Sequence, residues 1–200
     1  MQIDLSRLAA SEIYDLMVSI VVPRPIAFVS TLGADGLPNA APFSFFSLLS
    51  AVPPLVGVAI ARRGVEKKGT LLNLESTGEF VINVVDEALA EEMTRAAGNF
   101  LPNTDKFAAA GLTAAPCAII KTPRIAEAPV SLECRLSRVL DLPESKDQLV
   151  IGRVIQVHLR EDLLENGSVD PNRLKAIGRM GQFNYCRAVD IFEMGRPSGG

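Results

Sequence analysis

Residues 130–159 limit the fold more than any other part of the chain. In Val130 to Leu136, VSLECRL, apolar Val130, Leu132, Cys134 and Leu136 alternate with Ser131, Glu133 and Arg135. A period of two puts one set on a buried face and the other on a solvent face of an antiparallel strand. Cys134 is accordingly expected inside. DLPESKDQ supplies turn residues, and LVIGRVIQVHL reads as the returning strand.

Further strands are expected at Ile26–Thr31, from about Leu37, at Leu55–Ala61, at Glu79–Val85 and around Tyr185–Glu193. Gly33, Asp35 and Gly36 join the first two as a hairpin turn. Helices fall between strands. Thr70 is a candidate N-cap before Leu71, Leu72 and Leu74, with Gly78 as the stop. Asp86 can cap EALAEEMTRAA, which Gly98 closes. FLPNTDKFAAAGL reads as a loop leading into a helical turn, and DPNRLKAIG as a short helix with Pro171 first. At least six strands, mostly hairpin-linked, predict a mainly β fold: an antiparallel β-barrel with inserted helices. Residues 1–200 read as one domain, with a mobile tail at 195–200.

Composition narrows the function. Apolar residues make up 48% and the net charge is -3, so a core is expected and no basic footprint for nucleic acid is. The three cysteines lack metal-ligand or C-x-x-C spacing, which favours a reduced, cytoplasmic setting. The N-terminus shows no signal peptide, and prolines break the apolar 48–60 region, so no membrane span is expected.

Catalytic constellations are thin. The one histidine, His158, reads as a surface or edge residue, opposite Ile155, Val157 and Leu159. G-x-S-x-G, G-x-G-x-x-G and Walker A patterns are absent, and any metal site could use only one imidazole. No catalytic side chain and no metal site are therefore assigned. Lys67, Lys68 and Thr70 stand where a loop enters a helix, with Arg62 and Arg63 nearby. That arrangement fits either a phosphate cradle or a solvated basic loop with a capping threonine. Lys106 is open between a ligand contact and an exposed loop lysine. Pro38–Leu55, PNAAPFSFFSLLSAVPPL, reads as a strand, a bend and a second strand, with Ser44, Ser47 and Ser50 set among phenyl rings.

The segments VPRPIAFVST, APFSFF, KKGT, DKF and ECRL, in this order, resemble the flavin reductase-like family with its FMN-binding split barrel. The resemblance runs from about Met17 to Arg196. It implies a Greek-key type split barrel, FMN as cofactor, NAD(P)H as electron donor and a homodimer with FMN at the subunit interface. It also implies an NAD(P)H-dependent flavin oxidoreductase, with a downstream flavin-using monooxygenase as a further partner. An FMN electron-transfer carrier, a flavin-dependent oxygenase and a structural dimer without cofactor are the alternatives. By resemblance, Asn39, Ser44, Phe45 and Ser47 belong to the flavin pocket, Lys68 and Thr70 to the phosphate, and Lys106 and Tyr185 to positions near the flavin. This chain has Lys68-Gly69-Thr70 where relatives commonly have K-D-T, and Gln148 where some have histidine.

Overall fold

The computed structural model describes residues 1–62, 67–101 and 104–195. Arg63 and residues 196–200 of the expected tail lie outside them. The strands are β1 Arg24–Pro25, β2 Ala27–Leu32, β3 Pro38–Phe43, β4 Phe46–Ala51, β5 Pro54–Ile60, β6 Glu79–Val84, β7 Ala114–Ala115, β8 Arg124–Ile125, β9 Val130–Asp141 and β10 Gln148–Leu159. Then come β11 Leu164–Glu165, β12 Ser168–Val169, β13 Ile177–Arg179 and β14 Tyr185–Arg187. The α-helices are α1 Ala10–Ile20, α2 Gly69–Thr77, α3 Ala90–Ala96, α4 Lys106–Ala110 and α5 Pro171–Leu174. Among the described residues no helix is long and apolar enough to cross a membrane.

Seven strands form one antiparallel sheet in the order β3-β2-β6-β9-β10-β5-β4. Its two edges, β3 and β4, are consecutive in the chain. The bend at Ser44 and Phe45 therefore carries the backbone from one edge to the other and rolls the sheet into a split barrel. The Ala59 N–H donates to the Phe45 carbonyl at 2.8 Å and holds the bend against the β5 side. A smaller sheet, β1-β13-β14, lies apart from this order.

Both faces of the sheet are buried near its centre. Inside the barrel, Ala27, Val29, Val56, Val58, Ile60, Phe80, Ile82 and Val150 pack with Leu71 and Leu74 of α2. On the other face, Phe28, Leu89, Met93, Phe107 and Ile125 form a second core that includes residues of α3 and α4. Each large side chain buried this way stabilises by roughly 1.5–3 kcal/mol.

Several local readings meet corrections. Thr70 does not cap α2. Lys68, with extended backbone, is the N-cap, and Thr70 lies in the first turn with 2% exposure. Gly78 ends that helix in the left-handed region at φ 68°, as its lack of a Cβ allows. The solvent face assigned to 130–136 is also covered: Ser131 and Glu133 are buried. The segment between β7 and β8 lies over them, and its backbone N–H groups satisfy the Glu133 carboxylate. Period-two alternation reports which side is polar, and here the polar side found partners other than water. The final strand is shorter than expected, ending at Arg187. Helix α1 was not anticipated. It opens with the Ala9 N–H donating to Glu12 Oε2 at 2.7 Å, and Val18 is its buried residue.

Candidate functional site

The hairpin turn after β2 places Asn39 of β3 opposite Thr31 of β2. Helix α2 packs on these strands and brings Thr70 and Asn73, one helical turn apart, to the same place. The Asn39 Nδ2 donates to Thr31 Oγ1 and to Thr70 Oγ1, each at 3.1 Å. Asn73 Nδ2 donates to the same Thr31 Oγ1 at 3.1 Å. Asn39, Thr31 and Thr70 are all buried, so this small polar lattice fixes the first turn of α2 against the sheet.

Lys68 stands at the mouth of the lattice, its ammonium 5.5 Å from the centroid of the Phe43 ring. Lys106, first residue of α4, holds its ammonium 5.6 Å from the Phe100 ring centroid. The early N–H groups of an α-helix have no intrahelical acceptor and carry the positive end of the dipole. A cavity of about 580 Å³ opens at this point, with Asn39, Phe43, Lys68, Thr70, Phe100 and Lys106 among its walls. That volume is within the usual range for small-molecule sites. The combination of two ammoniums, a helix start, a hydroxyl–amide pair and phenyl walls suits a flat organic group bearing an anionic tail.

The sequence model of the family described as "Flavin reductase like domain" matches residues 18–176, most of the chain. The chain belongs to the flavin reductase-like family. Nitrilotriacetate monooxygenase component B from Bacillus cereus superposes with a TM-score of 0.93 at 33% identity, covering 97% of this chain and 98% of that one. The 2-nitrobenzoate 2-nitroreductase of Pseudomonas fluorescens gives a TM-score of 0.91 at 34% identity, covering 99% of this chain and 97% of that one. An uncharacterised protein of Halalkalibacterium halodurans is 34% identical over 203 residues, covering 99% of this chain and 97% of its own length.

Of the residues that the family resemblance nominates, Asn39, Lys68, Thr70 and Lys106 line the one cavity. Ser44, Phe45, Ser47 and Tyr185 are not among its walls. Ser44 and Phe45 form the bend between β3 and β4, and Phe45 is 44% exposed. Ser47 is exposed and its hydroxyl donates to the Leu48 carbonyl at 3.1 Å. The Arg24 guanidinium lies 6.0 Å from the Phe45 ring centroid. Arg24 pairs with Arg179 across β1 and β13, and Arg179 pairs with Tyr185 across β13 and β14. Arg179 also stacks on the Tyr185 ring at 4.6 Å and bonds to its hydroxyl. These four residues form a guanidinium–aromatic row running from the bend across the small sheet. Arg62 leaves the phosphate cradle: it bonds to Asp141 of β9 at 3.0 Å and does not line the cavity.

Thr31, Asn73 and Phe100 were missed by reading the sequence. Asn73 carried a usable signal, since it follows Thr70 by three residues on a helix. Thr31 and Phe100 reach the site only through tertiary packing.

Proposed function

We propose that this flavin reductase-like enzyme binds FMN in the cavity at the start of α2 and uses NAD(P)H as electron donor. The observation that carries the reading is the convergence of Lys68, Thr70 and Asn39 at one helix N-terminus beside an apolar wall. Lys68 and the first-turn N–H groups would hold the phosphate, and Lys106 would face the same cavity from α4. FMN, when bound, supplies the hydride chemistry. The chain's own work is to bind, orient and shield it, which accords with the thin catalytic constellation in the sequence.

The proposed assembly is a homodimer of one-domain subunits, with the Ser44–Ser47 bend and Tyr185 completing the flavin site at the subunit interface. A cytoplasmic location belongs to the same reading. Similarity to a monooxygenase component B supports release of reduced flavin to an oxygenase partner. Comparable similarity to a nitroreductase supports a second reading, in which the reduced flavin acts in place on a small organic substrate.

The test is an absorbance spectrum of purified protein with FMN under anaerobic conditions, before and after NADH or NADPH. Bleaching of oxidised flavin is expected with at least one nicotinamide. FMN that stays oxidised with both overturns the oxidoreductase reading. Transfer to oxygen and free flavin, against turnover of a nitroaromatic, then separates the two readings.

A further inference from the structure

A second group of chemically active side chains lies away from the flavin cavity. Cys117, between β7 and β8, meets Glu133 of β9 and His158 of β10, and their ligating atoms all lie within 4.8 Å of one another. None of the three lines the larger cavity. We propose that Cys117 Sγ, Glu133 Oε1 and His158 Nε2 form a site for one divalent transition-metal cation of the zinc class.

The geometry of Glu133 is the first argument. Its side chain is fully buried, yet its carboxylate is held ready. Oε1 accepts from the Ala118 N–H at 2.7 Å, and Oε2 accepts from the Ile119 and Ile120 N–H groups at 2.9 and 3.1 Å. These three donors orient the group as outer partners orient a metal ligand. The remaining lone pair of Oε1 faces His158 Nε2 at 2.6 Å. A cation would replace the proton shared there.

The donor chemistry is the second argument. One thiolate and one carboxylate cancel a double positive charge, and imidazole completes a mixed S, N, O set. That set suits zinc and its neighbours and does not suit calcium or magnesium, which take oxygen ligands. Tetrahedral zinc with bonds of about 2.0–2.3 Å puts ligand atoms roughly 3.3–3.8 Å apart; the Glu133–His158 pair at 2.6 Å would open toward that spacing, and Cys117, within 4.8 Å of both, is near it. Burial, then the charge of Glu133, raises the Cys117 thiol to about 11. A bound dication reverses that balance and takes the sulfur as thiolate. On binding, the thiol proton passes to solvent, and the proton displaced from between Nε2 and Glu133 is exchanged through solvent onto Nδ1, leaving a neutral imidazole bound through Nε2.

Access is the third argument. His158 lies on the wall of a separate cavity of about 430 Å³, together with Arg124, Glu127 and Arg160. The side chain of His158 is 25% exposed, so a solvent molecule can reach the open fourth position. Arg160 is engaged by Asp162 at 2.6 Å and Asp86 at 3.8 Å. Such a cation would clamp the 116–120 segment to the β9–β10 hairpin.

Chelator-treated full-length protein titrated with Co²⁺ tests the site. One equivalent per chain should produce thiolate-to-cobalt charge-transfer absorption that Zn²⁺ abolishes by displacement. Cys117→Ser should lose the absorption. His158→Asn should weaken Co²⁺ binding by more than the roughly 10–100-fold that losing a supporting partner costs. Zn²⁺ should raise the melting temperature of the wild type and leave that of Cys117→Ser unchanged. No charge-transfer band in the wild type, the same band in Cys117→Ser, or an equal zinc shift in both proteins overturns the proposal. These readouts need neither FMN nor turnover.

Discussion

The Asn39 amide donates to the Thr70 hydroxyl at 3.1 Å, tying a strand residue to the first turn of α2 across 31 positions of sequence. This bond fixes where the helix start points, and with it the direction from which an anion is met. Lys68→Ala and Thr70→Ala are expected to weaken FMN binding more than Lys106→Ala does. Loss of a charge-assisted contact costs about 1.5–3 kcal/mol, or roughly ten- to a hundredfold in Kd. Thr70→Ser keeps the hydroxyl and should stay near wild type. Flavin fluorescence titration gives the affinities of the wild type and the four variants. Unchanged Kd in the Lys68 and Thr70 alanine variants removes the phosphate assignment.

Asn83 predicts the cost of a polar centre inside the sheet. Its Nδ2 donates to the Phe28 carbonyl at 2.9 Å and to Ser30 Oγ at 3.1 Å. Its Oδ1 accepts from the Ile125 N–H at 3.0 Å and from Ser131 Oγ at 2.9 Å. Asn83→Ala leaves several buried groups without partners, and a loss of about 2–4 kcal/mol is expected in chemical denaturation. A change under about 0.5 kcal/mol would mean that water replaces the amide.

What the sequence disclosed follows a physical line. The barrel strands, the glycine stop at Gly78, the cap at Asp86 and the Pro171 start of α5 depend on neighbours within a few residues, and they were legible. Family motifs brought Asn39, Lys68, Thr70 and Lys106 to one cavity. Glu133 was misread because it was judged by its own strand. Its burial comes from the segment between β7 and β8, which no alternation pattern encodes. Helix α1 carried a usable signal that was not read: Ser11, Glu12, Asp15 and Ser19 share one exposed face, and Glu12 caps the helix start.

Gly152 illustrates a close approach that only packing reveals. A Cβ built there would lie 2.2 Å from Phe80 Cζ, and Phe80 is 1% exposed in the barrel core. Gly152→Ala should lower stability by roughly 1–3 kcal/mol through overpacking. Gly152→Ala combined with Phe80→Leu should recover part of that loss, since the smaller side chain frees the space. Thermal melts of the wild type, the two single variants and the double variant measure the recovery, and a double variant that simply adds both losses would refute the contact as the cause.

The proposed dimer makes the last prediction. Strand β4 ends the sheet, and an edge strand offers unpaired backbone groups as well as side chains. Phe45, Leu48, Leu49 and Val52 are 44%, 63%, 48% and 92% exposed, so apolar surface is concentrated at this edge. Scattered apolar residues need no partner, but a run of them along an open edge does. Leu48 is the better probe than Leu49, because Leu49 lies over Gly57 while Leu48 is the more exposed. Leu48→Asp places a charge at this edge and should shift light scattering from two chains to one, with the melting transition retained. If the flavin site is shared between subunits, FMN affinity falls in the same variant although Leu48 does not line the cavity. A dimeric Leu48→Asp protein would show that this edge is not the interface. A monomer with unchanged FMN affinity would place the whole site within one chain.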